Sequence, residues 1–354
     1  LYGMLKKRSE DLRVFSLILL AVLFDLGTTT FQTPYALSDV WDEPSDAYTW
    51  LKNESGRFAG LPNYRVLFTS KGEYGLTLRF PAISPLETGM PTVAGGYGQG
   101  APLSYDFGLA LMQSLNTRFS ENRVELPSQM SDALYLFNTR YVVAKAHEGQ
   151  VTYNKDQFSD VKVFQNGVTL WEIRECSPIV VSRKVAPYES DRDPTRDRKV
   201  ELTRIIEKMR IDARNDTCDV IPIREHLSLL EGAIEDHDLL GVEVVEHNVE
   251  NQKVELVVNA SSDCFAQLSY SYYPFLKIRV DGKETACFRT ALHLTGVHLS
   301  KGTHRIVMTP VLSRLRKYLL IAGLFTLGVM ISLILLRSGK GILTLLHINR
   351  GASK

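Results

Sequence analysis

The sequence predicts an α+β protein anchored to a membrane, with a mixed α/β outer domain, a small β-sandwich after it, and a transmembrane helix at either side. Two uncharged apolar runs predict the anchors, one at Val14–Phe24 and one at Tyr318–Leu336. Between them, short β-branched and aromatic segments alternate with helical patterns, and later only strands and turns follow one another. With 354 residues the chain is long enough for two ordinary domains, and its formal net charge of +1 argues against nucleic-acid binding.

The composition shifts along the chain divide it into five segments. Residues 1–36 hold the amino-terminal transmembrane helix and its exit, 37–188 the outer α/β domain, and 189–240 a charged helical connector. Residues 241–312 form the outer β-sandwich, and 313–354 a transmembrane helix and a cytoplasmic tail.

The first apolar run is interrupted by Asp25, so it spans a membrane only if that carboxylate faces other helices or the outer interface. Four basic residues precede the run, at Lys6, Lys7, Arg8 and Arg13, which places its start in the cytoplasm and the following domains outside. A cleaved signal peptide is the rival interpretation. Because the chain opens with Leu1, we expect it to be the tail of a longer protein.

The second run is the stronger membrane signal, because its 19 residues carry no charge. A helix of that length, at ~1.5 Å per residue, approaches the ~30 Å thickness of the hydrocarbon core. The alternative is a buried helix of a soluble core.

The mixture of elements in 37–188 predicts an α/β domain. Its strand candidates are 64–68, 141–144, 161–164, 169–173 and 179–181, and its helix candidates are 46–52 and 105–115.

The connector and the sandwich differ in pattern. In the connector, apolar residues recur three and four positions apart at 200–209 and 223–234, which predicts solvent-facing helices. In the sandwich, Asp281-Gly282 predicts a hairpin turn, and Lys301-Gly302 is a second turn candidate.

Motifs of known catalytic classes are missing from the sequence, so the catalytic residues stay unknown. The glycine cluster near Gly96 lacks the ending of a phosphate-binding loop, and the histidines have no metal-ligand spacing, so we expect no metal site. A disulfide between Cys264 and Cys287 is conceivable, with buried free thiols as the alternative for all four cysteines, Cys176 and Cys218 included.

Three stretches carry a resemblance to a known family: YYPFLKIRVDGKE at 272–284, HLSKGTHRIVMTP at 298–310 and LFNTRYVVA at 136–144. Together with their order along the chain, they resemble the YfhO family of bacterial membrane proteins. The chain departs from the family pattern at Phe275-Leu276, where a glycine-tryptophan pair commonly follows the proline.

Members of that family look like GT-C-type glycosyltransferases, which take a sugar from a polyprenyl-phosphate carrier. The resemblance implies that this chain is the carboxyl-terminal, non-catalytic region of such an enzyme, with the catalytic residues upstream. It also implies that the whole enzyme is a multi-pass protein of the cell membrane that modifies cell-envelope glycans. Its main domains are expected to lie outside the cytoplasm. Whether the chain is part of an enzyme stays open.

The implied partners are membrane lipid, upstream transmembrane helices of the same protein and a possible glycan acceptor, without nucleic acid. No cofactor is expected in this chain itself, and the polyprenyl-phosphate sugar is the implied donor. The alternative is a non-enzymatic, membrane-anchored module for carbohydrate binding or envelope assembly. A secreted protein with one anchor is a third possibility, and it requires cleavage near Thr30.

Five residues are candidates for a glycan or acceptor surface, because aromatic rings pack well against sugar faces. They are Tyr272, Tyr273, Asp281, His304 and Tyr97. The alternative for this set is a purely architectural role in turns and core.

Overall fold

A computed structural model describes most of the predicted outer region. The described residues are 46–57, 63–69, 91, 93, 105–119, 123–145, 152–164, 168–188, 197–224, 239–250, 253–311, 318–319, 321–330 and 332. The helices are α1 Asp46–Ser55, α2 Tyr105–Arg118, α3 Ser128–Leu136 and α4 Arg198–Met209. The strands of the first half are β1 Arg65–Phe68, β2 Arg123–Val124, β3 Thr139–Lys145, β4 Thr152–Tyr153, β5 Phe158–Val163, β6 Val168–Ile173, β7 Ile179–Ser182 and β8 Val185–Pro187. Those of the second half are β9 Ile211–Asp212, β10 Thr217–Cys218, β11 Ile221–Ile223, β12 Val242–Glu250, β13 Lys253–Ala260, β14 Cys264–Ser271, β15 Leu276–Val280, β16 Lys283–Glu284, β17 Cys287–Arg289, β18 Leu294–Leu299 and β19 Gly302–Pro310.

The first half is built on a four-stranded sheet in the order β1-β3-β6-β5. Strand β1 runs parallel to β3, and the other neighbours are antiparallel. Trp171 on β6 is 1% exposed and packs against the rings of Phe119 and Phe158, at centroid distances of 5.2 and 5.0 Å. The burial of these large aromatic rings anchors α2 to one face of the sheet.

The second half is a two-layer sandwich. A five-stranded sheet in the order β12-β13-β19-β15-β16 faces a six-stranded sheet in the order β17-β18-β14-β7-β10-β9. Along β14 the side chains alternate, because successive residues of a strand point to opposite faces. Cys264, Ala266 and Leu268 lie in the core between the two sheets, whereas Phe265 lies in the core shared with the helices. The six-stranded sheet is therefore covered on both faces.

The charged connector is more buried than its composition indicated. Of its two predicted helices, the one at 200–209 forms as α4, but the prediction that it faces solvent was wrong for one side, since Leu202, Ile205, Ile206 and Met209 are buried in the main core. Apolar residues at this spacing form a stripe along one face of a helix, and the stripe is covered by α2 and α3. The second predicted helix, at 223–234, starts at the last residue of strand β11, and its residues 225–234 lie outside the described residues. The residues after α4 add strands β9, β10 and β11 to the sheets.

A half-buried arginine joins the first sheet to the sandwich. Arg65 of β1 donates from Nη1 to the carbonyl of Phe137 at 2.9 Å, and its guanidinium carbon lies 5.0 Å from the ring centroid of Tyr270 on β14. The Tyr270 hydroxyl lies 2.7 Å from Nε2 of His247 on β12. Burial, and then the charge of Arg65, lower the pKa of His247 to about 4, so this imidazole is neutral at pH 7.

The prediction of an α+β fold flanked by two transmembrane helices was wrong for the residues that the structure describes. There, nineteen strands accompany four bounded helices, so strands dominate the fold. The first apolar run lies outside the described residues. In the second, residues 318–319, 321–330 and 332 are helical, and Leu324 and Phe325 are 61% and 73% exposed. None of the helices in the described ranges combines the length and the apolar character needed to cross a membrane.

Candidate functional site

A two-residue hairpin places the first of the predicted site residues. Asp281 and Gly282 have φ values of 54° and 79°, and they connect β15 to β16, where Val280 pairs with Lys283. Two consecutive positive φ angles are the geometry that a tight hairpin requires, and glycine adopts it without a steric cost. The hairpin predicted from this dipeptide is confirmed.

The hairpin brings Asp281 against His304 of the neighbouring strand β19. The Asp281 Oδ2 atom lies 2.7 Å from His304 Nδ1, and Asp281 Oδ1 accepts a hydrogen bond from the backbone N–H of Arg305 at 2.9 Å. The pKa of the Asp281 carboxyl is lowered, mainly by the hydrogen bond from the Arg305 backbone and secondly by the hydrogen bond to His304. Two of the predicted site residues are therefore in direct contact.

Sequence reasoning missed a third member of this group, Ser300. Its hydroxyl lies 3.2 Å and its carbonyl oxygen 2.8 Å from Nε2 of His304. The signal that could have found Ser300 is its place before the predicted Lys301-Gly302 turn, four residues ahead of His304.

The order Asp281–His304–Ser300 has the connectivity of a hydrolase triad, but its hydrogen bonds suit another role. A carbonyl oxygen can only accept, so the shorter contact to the Ser300 carbonyl requires a proton on His304 Nε2. A nitrogen that already donates its proton cannot remove one from the Ser300 hydroxyl, as a general base must. The three residues fasten the β15–β16 turn to the β18–β19 turn.

The two tyrosines of the predicted set lie at the other end of β15. The strand between Tyr273 and Asp281 is five residues long, which at ~3.3 Å per residue separates them by ~16 Å. The Tyr272 N–H donates to the carbonyl of His293 at 2.9 Å, and Tyr273 is 41% exposed. The structure therefore does not bring the tyrosines together with Asp281 and His304, and Tyr97 lies outside the described residues.

A second aromatic residue, Phe275, shares the exposed end of β15 with Tyr273. Phe275 is 50% exposed, and its carbonyl accepts a hydrogen bond from the Val311 N–H at 2.7 Å, just after the end of β19. The Leu276 N–H donates to the Tyr273 carbonyl at 2.9 Å, which closes the turn around Pro274. We call the segment Tyr273–Phe275 the aromatic tip.

The cysteines are all free thiols, which is the alternative that the sequence left open for Cys264 and Cys287. These two residues lie on β14 and β17, on opposite sides of β18. Two strand spacings of ~4.8 Å separate their backbones by ~10 Å, and a disulfide requires Cα atoms within ~7 Å.

Metal-ligand geometry and one cavity are the other features of the described residues that bear on bound groups. None of the described ranges contains a group of three or more histidine, cysteine, aspartate or glutamate side chains arranged to hold a metal ion. One open cavity of ≈ 540 Å³ lies beside β4, and none of the predicted site residues lines it. Its lining residues are Glu125, Thr152, Tyr153, Asn154 and Lys155.

Comparison of the chain with protein-family models, with curated proteins and with solved structures gives no match.

Proposed function

We propose that this chain is the carbohydrate-contacting, non-catalytic region of a cell-envelope glycosyltransferase that uses a polyprenyl-phosphate-linked sugar. The region acts outside the cytoplasm, beside the cell membrane, and its role is to hold the glycan acceptor. The donor and the transferase class rest on the resemblance at 272–284 and 298–310. The acceptor-holding role rests on the structure of the aromatic tip.

The aromatic tip is the observation that carries the proposal. Tyr273 and Phe275 expose 41% and 50% of their surface, although burial of such rings would stabilise the fold. Hydrogen bonds on both sides of Pro274 hold the backbone of the tip in place, so little backbone entropy is lost when a ligand binds. Exposed rings on such a fixed backbone suit stacking against the apolar faces of sugar rings.

The non-catalytic role fits the chemistry of the described residues. Asp281, His304 and Ser300 are engaged in fastening two turns, and the aromatic tip carries no acid, base or nucleophile other than the Tyr273 hydroxyl. A glycosyl transfer needs a general base to activate the acceptor. As the resemblance implies, we propose that the reaction takes place in another part of the enzyme.

The position beside the membrane is supported by the surface that follows the sandwich. Beyond β19, the helical residues 318–319 and 321–330 expose large apolar side chains, among them Leu319 at 62% and Ile321 at 62%. The aromatic tip adjoins the end of β19 through the Phe275–Val311 hydrogen bond. Contiguous apolar surface of this kind marks contact with lipid or with other protein.

Binding of the full chain to a panel of immobilised bacterial cell-envelope polysaccharides tests the proposal. Tyr273→Ala and Phe275→Ala should each weaken binding about fivefold, which corresponds to ~1 kcal/mol for one aromatic contact. Val245→Ala, which removes an apolar side chain that is 61% exposed on β12, is the control and should bind like the wild type. Equal binding by the tip variants and the wild type would refute the acceptor-holding role.

A further inference from the structure

A group of cationic side chains surrounds one buried aromatic ring where α2, α4 and the β17–β18 hairpin meet. The guanidinium carbons of Arg198 and Arg224 lie 5.8 and 6.0 Å from the ring centroid of Phe107, and the His293 ring centroid lies 6.0 Å from it. We call these four residues, with Arg289 and Glu201, the Phe107 cluster. Its members come from three distant parts of the sequence.

Among the residues that the structure describes, the cluster contains three guanidiniums and one carboxylate. Glu201, 4% exposed, accepts from Arg224 Nη2 at 2.8 Å and also from Arg198 Nη1, so a single carboxylate serves two guanidiniums. Arg224 is further fixed by a hydrogen bond from Nε to the Ala291 carbonyl at 2.9 Å. Arg289 adds a third positive charge near His293. Like charges held this close repel, and an incoming anion would relieve the repulsion.

His293 occupies an unfavourable backbone conformation in this place. Its φ of 57° is left-handed, a region that favours glycine or asparagine. The turn is held by the His293 N–H, which donates to the Thr290 carbonyl at 2.9 Å, and by the His293 carbonyl, which accepts from Tyr272. A residue in this conformation persists where the surrounding structure holds it in place, as these hydrogen bonds do.

The His293 side chain is also short of a partner. The residue is 9% exposed, and its Nδ1 atom is buried without any hydrogen-bond partner in the structure. A buried polar atom left unpaired costs ~1 to 3 kcal/mol. Burial first, and then Arg224, Arg289 and Arg198, lower the pKa of His293 to about 3, so the ring is neutral at pH 7. An anion bound beside these arginines would supply an acceptor for an N–H at this position.

The Phe107 cluster opens to solvent on one side. The Arg198 side chain is 45% exposed, whereas that of Arg224 is 15% exposed and that of Glu201 is 5% exposed. Arg198 is also the first residue of α4, whose start is already capped by the Asp197 carboxylate, which accepts from the Lys199 N–H at 2.9 Å. A ligand would therefore reach the cluster at Arg198, its most exposed arginine.

We propose that the Phe107 cluster binds the phosphate group of a ligand. Arg198 and Arg224 supply charge-assisted hydrogen bonds, in the paired geometry that guanidinium groups favour with phosphate. His293 donates a further hydrogen bond from Nδ1. The site is separate from the aromatic tip, and it goes beyond the proposed function, because phosphate binding here requires neither the glycan nor the glycosyltransferase assignment.

Two single substitutions and one control test the site in the full chain. Arg198→Gln removes one guanidinium and leaves Glu201 paired with Arg224. His293→Asn keeps a side chain that tolerates the left-handed backbone. The control is Arg305→Gln, which removes a 64% exposed arginine from Glu255 on the five-stranded sheet and leaves that carboxylate paired with Lys253 at 2.8 Å.

The measurement is the ¹H–¹⁵N resonance of the His293 imidazole during titration with inorganic phosphate, with chloride at matched ionic strength as reference. We expect a saturable shift with phosphate alone in the wild type. Affinity is compared between variants by calorimetric titration, because His293→Asn has no imidazole resonance, and it should be at least about tenfold weaker in Arg198→Gln and in His293→Asn. Arg305→Gln should bind as the wild type does. A second arm uses vesicles of phosphatidylcholine with and without phosphatidic acid.

The two arms separate the sources of the phosphate. Saturation by inorganic phosphate identifies a soluble phosphate-bearing ligand, whereas binding to phosphatidic acid vesicles alone identifies a lipid headgroup. Binding in either arm supports the proposal if Arg198→Gln weakens that binding and Arg305→Gln does not. Failure to bind in both arms, or equal weakening by Arg198→Gln and Arg305→Gln, overturns it, whatever the glycan experiment shows.

Discussion

Substitution of Gly296 by alanine should destabilise the fold severely, because this glycine lies against a buried ring. Gly296 of β18 pairs with Phe288 of β17. A Cβ atom at this position would lie 2.0, 2.3 and 2.4 Å from the Cε2, Cζ and Cδ2 atoms of Phe288. Ordinary contact begins at 3.4 Å, so the ring would have to retreat by 3.4 − 2.0 = 1.4 Å.

The surroundings of Phe288 leave little room for that movement. Phe288 is 1% exposed and belongs to the core that the six-stranded sheet shares with the helices. Close-packed interiors resist such shifts, and overpacking usually costs ~1 to 3 kcal/mol. Since the overlap here is large, we expect Gly296→Ala to lower the free energy of unfolding by about 3 kcal/mol, measured by urea denaturation of the full chain.

Two further variants make the test specific. Gly241→Ala is the control, because its Cβ would meet only ordinary contacts, at 3.7 Å from Ser261 Oγ and 3.9 Å from the Asn215 carbonyl. It should change the free energy of unfolding by less than about 0.5 kcal/mol. Phe288→Leu removes two of the three overlapping ring atoms, so the double variant with Gly296→Ala should be less destabilised than the sum of the single variants. Strict additivity would refute the overlap argument.

Two carboxylates should contribute measurably to the stability of the fold, Asp281 at a turn and Asp197 at the start of α4. Since the folded-state pKa of Asp281 is lowered, its contribution to stability is present above about pH 4, the ordinary aspartate pKa, and is lost as the pH falls through the lowered value. The stability difference between the wild type and Asp281→Asn should therefore shrink below about pH 4, and a difference that grows there would contradict the hydrogen bond from Arg305. Asp197→Ala removes the side-chain cap that accepts from the Lys199 N–H at 2.9 Å, so urea denaturation should show a loss of ~1 kcal/mol, and no loss would contradict the capping role.

Local elements of this fold could be predicted where a few neighbouring residues determine them. The Asp281-Gly282 hairpin follows from glycine's tolerance of positive φ, and the helix over 200–209 follows from apolar spacing. The partners of these elements depend on residues far away in sequence. Strand β7, which the sequence placed in the first outer segment, pairs with β14 about eighty residues later.

In the candidate site, too, the residues could be predicted but their contacts with distant residues could not. Asp281 and His304 were predicted as members of one surface, and the structure brings them into contact because β15 and β19 are neighbours. The Phe107 cluster was beyond sequence reasoning, since no motif links Arg198, Arg224 and His293. The apolar run at 318–336 was predicted from composition, and the part of it that the structure describes, residues 318–319, 321–330 and 332, is helical.

If the aromatic tip holds a cell-envelope glycan, a binding isotherm should show it. The full chain and its Tyr273→Ala/Phe275→Ala double variant are titrated onto the same immobilised envelope polysaccharide, with Val245→Ala alongside. We expect saturable binding that falls about twenty-five-fold in the double variant, as two independent fivefold losses, and is unchanged in Val245→Ala. Unaltered affinity of the double variant, with its fold intact by circular dichroism, would contradict the claim.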